Sequence, residues 1–345
     1  MNERVLKISK ELYEKENTSD ENLEFLLETK EDLKPLFKLA KKKRQEIYKN
    51  SVFLRGLIEI TNNCKNNCFY CGIRKDNLNL KRYQLTEKEI LECCEKGYKQ
   101  GLRTFVLQGG ENPFFKDETL CEIVFKIKQK FKDCAVTLSI GEREKKTYES
   151  LLKAGADRFL LRHETISKNH YKKLHPKEMS LENRINCLYN LKELKYVVGS
   201  GFMVGSPFQT TKNLIADLRF LQKLKPEMIG IGPFIPHKDT PFKNYESGSI
   251  NLTLRLISIL RLLFKNALIP ATTSLFSLDK KIMKSALDSG ANVIMPNISP
   301  KKYIKNYSLY NNKIIRPEKT LKKLKKDIYL SGYRFSLSRG DPLIT

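Results

Sequence analysis

The feature that most constrains the fold of this chain is a repeated alternation of short apolar runs and amphipathic helical patterns. The apolar runs span residues 56–60, 104–108, 136–140, 158–162, 201–205, 228–232, 269–273 and 292–295. A helical pattern follows each run, near 86–100, 117–132, 144–154, 181–194, 210–224, 251–266, 278–289 and 316–330. Continuous apolar strands are typical of a parallel sheet that is covered on both faces. The pattern predicts an α/β fold, a closed (β/α)8 barrel of the TIM type, with an open doubly wound sheet as the alternative.

The segments on either side of this alternation predict additional helices. Apolar residues recur at helical spacing before residue 50, which predicts an N-terminal helical cap. Ser19 followed by Asn22 is a start signal for the second of its helices. We expect a helical extension, a barrel, and a C-terminal helix and tail that close the barrel, over residues 1–50, 51–310 and 311–345. The polar tail after residue 330 is expected to pack loosely over one end.

Composition and charge exclude several classes of protein. Hydrophobic residues make up 40% of the chain, which argues against disorder, and no apolar run is long enough to predict a membrane span. The first residues show no apolar segment of a secretory signal, so we expect a cytoplasmic protein. The net charge of +25 would suit a nucleic-acid partner. Because the lysines are spread along the chain, we expect a lysine-coated surface and no nucleic acid.

Three of the eight cysteines, Cys64, Cys68 and Cys71, lie close together just after the first predicted strand. In such barrels, the loops after the carboxyl ends of the strands carry the chemistry. Thiolates are the ligands that iron–sulfur clusters prefer, and three of them leave the fourth iron of a 4Fe–4S cluster without a protein ligand. A catalytic metal needs such an open position. The alternative is a zinc site, which would need a fourth Cys or His nearby, and the nearest histidine is His163.

The cysteine spacing on this first loop resembles the radical S-adenosylmethionine (SAM) superfamily. The resemblance implies that the fourth iron chelates the amino and carboxylate groups of SAM, and that reductive cleavage of SAM yields a 5′-deoxyadenosyl radical. Gly109, Gly110 and Glu111 end the second strand and resemble the motif that holds the SAM amino group. Glycines expose the backbone to a ligand and a glutamate accepts from an ammonium, although alone this triplet is typical of a tight turn. Tyr70 is expected to shield the adenine, and its alternative is a core aromatic.

Longer stretches resemble the HydE family, the radical SAM maturases of FeFe-hydrogenase. These stretches are residues 61–77, 80–83, 107–111, 160–165, 203–205, 230–237, 269–273 and 290–297. The resemblance implies a complete barrel with SAM at one rim. It also implies action on a small organometallic substrate, a cysteine-bound iron carbonyl–cyanide precursor of the two-iron subcluster of hydrogenase. The partners that it implies are an electron donor such as ferredoxin or flavodoxin and other hydrogenase maturation proteins.

The same resemblance assigns further residues by motif. Glu164 and Arg184 resemble the pair that clamps SAM, since an arginine can hold a carboxylate; the alternative is a structural ion pair on the rim. Met203 and Ile231 resemble the wall that binds the adenosyl group. The residues that would line the substrate cavity are Thr137, Arg162, Thr272, Thr273 and Tyr303. An arginine and hydroxyl donors suit an anionic, cyanide-bearing complex, although Thr272 and Thr273 are equally typical of strand residues.

The sequence also departs from parts of the family pattern. Some members bind a second cluster through three further cysteines near the C-terminus, whereas the last cysteine here is Cys187. We therefore expect one 4Fe–4S cluster per chain and no second C-terminal cluster. Phe208 stands where glycine is common, and residues 142–144 replace a loop that often carries an aromatic residue. These departures concern the substrate side of the site.

Two other functions remain open at this point. The first is a related radical SAM barrel, such as a methylornithine synthase or a biotin synthase, whose auxiliary cluster could use Cys134 and Cys187. The second is a non-catalytic iron–sulfur or zinc scaffold that binds RNA through its lysines. The stretches around Arg162 and Thr272 favour the maturase over the other barrels, and Glu111 with its glycines argues against the scaffold.

Overall fold

The computed structural model describes residues 3–313 and 320–343. The chain begins with three helices, α1 (Glu3–Lys15), α2 (Asp20–Glu28) and α3 (Lys34–Tyr48). The hydroxyl of Ser19 accepts a hydrogen bond from the Asn22 amide at 3.2 Å and caps α2, which confirms the predicted start. The apolar faces of these helices are buried in the same core as the barrel.

The strands of the described residues are short. They are β1 (Ser51–Leu54), β2 (Gly56–Thr61), β3 (Thr104–Gly109), β4 (Ala135–Ser139), β5 (Arg158–Leu160), β6 (Val197–Ser200), β7 (Met203–Val204), β8 (Met228–Ile229), β9 (Gly232–Pro233), β10 (Pro270–Ala271), β11 (Val293–Ile294) and β12 (Arg334–Ser336). Their residues are mostly buried, as expected for strands that are covered on both faces.

Helices connect these strands. They are α4 (Glu87–Lys99), α5 (Asp117–Lys130), α6 (Lys145–Lys153), α7 (Lys168–Leu174), α8 (Leu181–Glu193), α9 (Thr211–Leu224), α10 (Ile250–Leu263), α11 (Thr273–Leu278), α12 (Met283–Asp288), α13 (Lys301–Ile304) and α14 (Thr320–Leu330). Hydroxyl side chains cap the N-termini of four of the longer ones, namely Thr86, Ser180, Thr210 and Ser249. Across the residues described here, no helix is long and apolar enough to cross a membrane.

Parallel pairing closes the strands into a barrel. One sheet has the order β2-β3-β4-β5-β6-β8, and another has the order β10-β11-β1-β12. Parallel bridges between Leu57 and Asn297, and between Met228 and Leu268, join the two sheets. Because β1 and β2, β6 and β7, and β8 and β9 are successive halves of the same barrel strand, the result is the predicted (β/α)8 barrel.

The predicted element boundaries differ from the structure at several places. The fifth barrel strand begins at Val197 in β6, before the predicted run over 201–205, because glycines interrupt its apolar pattern. The predicted helix over 278–289 is two helices, α11 and α12, separated by a turn. The predicted helix over 316–330 is observed as α14, and residues 316–319 lie outside the described residues.

The expectation that the C-terminal tail packs loosely is wrong. Strand β12 pairs in parallel with β1. Two residues that follow β12 contact Arg158, the fully buried first residue of β5. The Arg158 guanidinium lies 2.7 Å from the Asp341 carboxylate and donates to the Arg339 carbonyl oxygen at 3.0 Å. A buried charge needs a partner, and the tail supplies one at the amino-terminal end of the barrel.

Replacing Asp341 by asparagine should lower the free energy of unfolding by about 1–2 kcal/mol, because the buried Arg158 loses its carboxylate partner. The effect is smaller than for a fully buried pair because Asp341 is half exposed and solvent screens its charge. Burial acts to raise the pKa of Asp341, but Arg158 and Arg339 outweigh burial and lower that pKa. The stabilisation is therefore present above about pH 4 and is lost as the pH falls through the lowered pKa.

Urea denaturation at several pH values measures this effect. The matched control is Glu178→Gln, which removes an exposed carboxylate and should leave the unfolding free energy unchanged. Equal stabilities of the Asp341→Asn and Glu178→Gln variants would contradict the prediction.

Candidate functional site

A cavity of about 340 Å³ opens at the carboxyl-terminal ends of the barrel strands. The loops after parallel strands meet at this rim, so predicted site residues from distant parts of the chain come together. The predicted residues that line the cavity are Cys64, Cys68, Cys71, Tyr70, Gly109, Gly110, Glu111, Arg162, Glu164, Arg184, Met203, Thr272 and Thr273. The structure therefore gathers most of the predicted site in one place.

Two predicted residues are buried beside the cavity rather than in its lining. Ile231 is fully buried between β8 and β9. Thr137 lies on β4, two residues before the lining residue Ser139, so both side chains face the same side of the strand. Among the described residues, the buried hydroxyl of Thr137 has no hydrogen-bond partner.

Tyr303 was expected in the cavity, but it lies outside the lining. Its ring stacks on Tyr83, with the ring centroids 4.6 Å apart, and this contact holds it on another surface. Tyr307, one turn later, lines the cavity instead, and its hydroxyl accepts a hydrogen bond from the Gln108 amide at 3.2 Å. The resemblance assigned a tyrosine of this segment to the cavity, and the structure shows that Tyr307 rather than Tyr303 lines it.

Arg82 organises the cysteine loop, which has little regular secondary structure. Its guanidinium donates hydrogen bonds of 2.5–3.2 Å to the backbone carbonyl oxygens of Asn62, Ile73, Arg74, Lys75 and Asn77. Buried carbonyl groups need such partners when no strand or helix supplies them. The arginine therefore ties the two ends of the loop together and fixes the position of the cysteines between them.

The three thiols suit a metal cluster rather than an acid–base role. Burial raises the pKa of all three thiols. The pKa of Cys68 lies well above its ordinary value, and that of Cys71 is raised to about 12. A thiol must deprotonate to bind metal, and positively charged iron would offset the buried negative charge. Across the described residues, no three His, Cys, Asp or Glu side chains converge closely enough to hold a single metal ion.

The glycine motif lies directly against the cysteine loop. A Cβ atom at Gly110 would lie 2.3 Å from the Asn63 carbonyl oxygen and 2.7 Å from the Cys64 Cβ, so only glycine fits there. The Lys65 amide donates to the Glu111 carbonyl oxygen at 2.9 Å. The motif is therefore a wall of the cavity beside the cysteines and not an isolated turn.

Arg184 is held by two glutamates, Glu142 and Glu111, and the alternative of a direct ion pair with Glu164 is not observed. Its Nε lies 2.6 Å from Glu142 Oε1, and its Nη2 lies 4.0 Å from Glu111 Oε1. Burial is the largest single influence and acts to lower the pKa of Arg184, but Glu142, Tyr171, Glu111 and Tyr70 together outweigh burial and raise that pKa. Glu142 was not predicted as a site residue; its place at the end of β4 was the signal that could have found it.

Glu164 pairs with Arg162, whose Nη2 lies 2.9 Å from Glu164 Oε2. These two atoms are within ion-pair distance, but their geometry does not meet the angle of a hydrogen bond. Among the described residues, both atoms are buried without a hydrogen-bond partner, and the same holds for Arg184 Nε and Glu142 Oε1. The backbone of Glu164 has φ +63°, a left-handed conformation that is strained for a residue with a side chain. Charged groups of both signs and local strain on a cavity wall fit a ligand with both ammonium and carboxylate groups.

A neutral histidine fixes Tyr70 at the cavity wall. The Tyr70 hydroxyl lies 3.1 Å from His175 Nε2, and His175 Nδ1 lies 3.1 Å from the Tyr171 carbonyl oxygen. A carbonyl only accepts, so Nδ1 carries the proton and Nε2 accepts from Tyr70. Burial lowers the pKa of His175 to about 3, which keeps the imidazole uncharged. Nothing in the local sequence pattern indicated this role for His175.

A buried ion pair at the inner end of the cavity was also missed. Glu59 lies in the middle of β2, is fully buried and pairs with Lys313. The Lys313 ammonium also donates to the Tyr307 carbonyl oxygen at 2.7 Å. A small neighbouring cavity contains Glu59 and Lys313 and shares Thr273 with the main cavity. The sequence signal was a single carboxylate inside an otherwise apolar run.

Comparison with known proteins agrees with this geometry. The chain matches the family model described as the radical SAM superfamily over residues 58–221. It is 46% identical to the [FeFe] hydrogenase maturase subunit HydE of Thermotoga maritima, over 82% of this chain and 81% of that protein. It is 31% identical to 3-methylornithine synthase of Methanosarcina acetivorans, over 84% of this chain and 83% of that protein.

The crystal structure of a methylornithine synthase has the same fold. It superposes with a TM-score of 0.84 at 27% identity, over 95% of this chain and 97% of that one. This match confirms the predicted fold class, and the sequence identities confirm the predicted resemblance. The chain is a radical SAM enzyme and belongs, within that superfamily, to the HydE family of [FeFe]-hydrogenase maturases.

Proposed function

We propose that this enzyme reductively cleaves SAM at one 4Fe–4S cluster and uses the 5′-deoxyadenosyl radical in assembling the two-iron subcluster of [FeFe]-hydrogenase. The cluster and SAM follow from the superfamily, and a role in hydrogenase maturation is supported by the 46% identity to a HydE maturase. One observation carries the proposal. Three partly buried thiols line the same cavity as Arg184 and the Arg162–Glu164 ion pair.

The residues that would hold the cluster and SAM fit those groups. Cys64, Cys68 and Cys71 would bind three irons and leave the fourth open to SAM. When bound, the cluster supplies one electron that splits a carbon–sulfur bond of SAM. The chain itself binds and orients the amino-acid end, because Arg184 offers N–H groups to a carboxylate and Glu164 accepts from an ammonium.

The neighbouring walls would hold the rest of SAM. Gly110 lets the backbone of β3 approach the ligand closely, and Glu111 adds a second acceptor for the ammonium. We propose Tyr70, Met203 and Ile231 for the adenosyl end, since the first two line the cavity and the third is packed next to it. Apolar walls of this kind exclude water from a reactive site.

Other lining residues of the cavity suit the proposed cysteine-bound iron carbonyl–cyanide substrate. Arg162 provides N–H donors, and Thr272 and Thr273 provide hydroxyl groups. Cyanide nitrogen and carboxylate oxygen are acceptors, so these donors match an anionic complex. Thr137 has an unsatisfied buried hydroxyl deeper on the same inner surface, and we propose it as a further contact.

A second candidate is a 3-methylornithine synthase. The observations in its favour are 31% identity to such an enzyme and the superposition on a methylornithine synthase structure. The higher identity to the maturase favours hydrogenase assembly. We further propose that the enzyme works in the cytoplasm with other maturation proteins and receives electrons from a ferredoxin or flavodoxin.

Replacing Cys68 by serine should abolish SAM cleavage, because a serine hydroxyl does not replace a thiolate ligand. The reconstituted parent protein should hold about four irons per chain, as expected for a single cluster, and form 5′-deoxyadenosine with dithionite. Cys121→Ser is the control, since Cys121 lies on α5 outside the cavity and its loss should change neither property. Undiminished cleavage by the Cys68→Ser variant, or about eight irons in the parent, would contradict this prediction.

Replacing Arg184 by alanine should weaken SAM binding by about 1–3 kcal/mol, because the SAM carboxylate loses a charged donor. Arg184→Lys keeps the positive charge but lacks the planar guanidinium that can bind both carboxylate oxygens, so it should recover part of the SAM affinity. Calorimetric titration of the anaerobic protein with SAM measures both, and thermal unfolding shows whether each variant is folded. A folded Arg184→Ala variant with parental SAM affinity would remove Arg184 from the site.

Replacing Thr272 and Thr273 by valine should preserve SAM cleavage but lower hydrogenase maturation in the native cell, because two donors to the substrate are lost. Thr119→Val on α5 is the matched control. Deleting the whole gene should abolish hydrogen production by [FeFe]-hydrogenase and leave other enzymes active. Normal hydrogen production in the deletion strain would exclude the maturase and favour the second candidate.

A further inference from the structure

We propose that an exposed aromatic patch beside the cysteine loop is the docking surface for an acidic one-electron carrier protein. The patch consists of Phe208, Phe242 and Tyr245, with Lys173 and Lys243 at its edge. This inference rests on the proposed function, because a reductive SAM enzyme needs an electron. It adds the place where the electron is delivered and the charge of the protein that delivers it.

The patch is continuous with the cysteine loop. Phe69 follows Cys68 directly, and the centroid of its ring lies 6.2 Å from that of Phe242 at an interplanar angle of 71°. The Phe69 amide also donates to the carbonyl oxygen of Leu174, the last residue of α7, at 2.9 Å. The outer face of the cysteine loop is thus separated from the patch by a single ring contact. A carrier docked there would be close to the cluster ligands.

The outer rings of the patch are exposed. Phe208 is 48% exposed and Tyr245 is 41% exposed, and their ring centroids lie 5.6 Å apart. Both rings pack on Phe242, which is buried. Grouped aromatic side chains that remain open to solvent mark protein–protein interaction sites, where Phe and Tyr are enriched.

Backbone strain at Phe208 supports a role in binding. Its φ is +65°, in the left-handed region that bulky residues rarely adopt. The ring is 48% exposed, so its contacts with Phe242 and Tyr245 bury only about half of it. Strain that is kept at an exposed residue is typical of a functional contact.

The charge around the patch selects an acidic partner. The ammonium of Lys173 lies 4.8 Å from the centroid of the Phe208 ring, and Lys172 and Lys243 are exposed nearby in the chain. In the part of the chain that the structure describes, none of these three lysines forms an ion pair, and Glu246 adds one exposed carboxylate beside them. Unpaired positive charge on a chain of net charge +25 attracts an acidic protein and orients its approach.

The electron balance of this step is simple. The carrier gives up one electron for each SAM that is cleaved, and no atom or proton is exchanged at the patch. RNA could also bind aromatic rings and lysines, but the direct contact between the patch and the cysteine loop favours a carrier. Binding of RNA in place of the carrier is therefore an outcome that the experiment must test.

The experiment measures binding of an acidic flavodoxin to the reconstituted enzyme at several salt concentrations. Two double variants alter the patch. The charge variant combines Lys173→Glu with Lys243→Glu, and the ring variant combines Phe208→Gly with Tyr245→Ser. Each should raise the Kd about tenfold or more, and the charge variant should also show a weaker salt dependence. Phe208→Gly alone should not lower the melting temperature, because glycine adopts positive φ without strain.

The matched control is a double variant on α14, Lys322→Glu with Tyr329→Ser. Both residues are exposed, and Tyr329 is 70% exposed, so one lysine charge is reversed and one aromatic ring is removed elsewhere on the surface. Its Kd should stay within about twofold of the parent. With dithionite as reductant, all variants should form 5′-deoxyadenosine at the parental rate. With flavodoxin as reductant, the patch variants should need about tenfold more carrier for half-maximal rate.

Two outcomes would overturn the docking surface. One is a parental flavodoxin Kd in both patch variants, and the other is patch-dependent binding of an RNA oligonucleotide with no effect on flavodoxin. A failure of the proposed function is distinguishable from these. If the parent forms no 5′-deoxyadenosine with dithionite, SAM cleavage is refuted, whereas the Kd values still decide whether the patch docks the carrier.

Discussion

Closure of a parallel sheet on itself is the constraint on which the rest of this structure depends. Two single bridges, Leu57 to Asn297 and Met228 to Leu268, join sheets that would otherwise have open edges. Because every strand runs in the same direction, the loop after each strand reaches the same rim. Cysteines, glycines, arginines and glutamates that are scattered over more than a hundred residues therefore line a single cavity.

The loops at this rim need their own source of order, and side chains provide it. Arg82 satisfies backbone carbonyl groups at both ends of the cysteine loop, and Gly110 lets the next strand end lie against it. Glu142 and Glu111 hold Arg184 in place. Charged groups that are fixed in advance bind a zwitterionic ligand with little further loss of side-chain freedom. The rigidity of the site thus comes from buried polar contacts rather than from regular secondary structure.

The C-terminal segment neutralises charges inside the barrel at both ends. Asp341 pairs with the buried Arg158 at the amino-terminal end, and Lys313 pairs with the buried Glu59 near the cavity. Each pair joins residues that are far apart in sequence, so these two buried charges are paired only after Lys313 and Asp341 have folded onto the barrel. An isolated charge in either place would be strongly unfavourable in an apolar interior.

The amino-acid sequence by itself predicted the barrel, the helical cap and the cysteine cluster, because apolar periodicity and the spacing of Cys64, Cys68 and Cys71 are local properties of the chain. The other site residues were assigned mostly by the resemblance to the HydE family. The tertiary structure alone decided which partners the charged residues take. Arg184 contacts Glu142 rather than Glu164, and the pairing of β12 was invisible in a polar tail. Such choices depend on distances between segments that are remote in sequence, and only the folded barrel sets those distances.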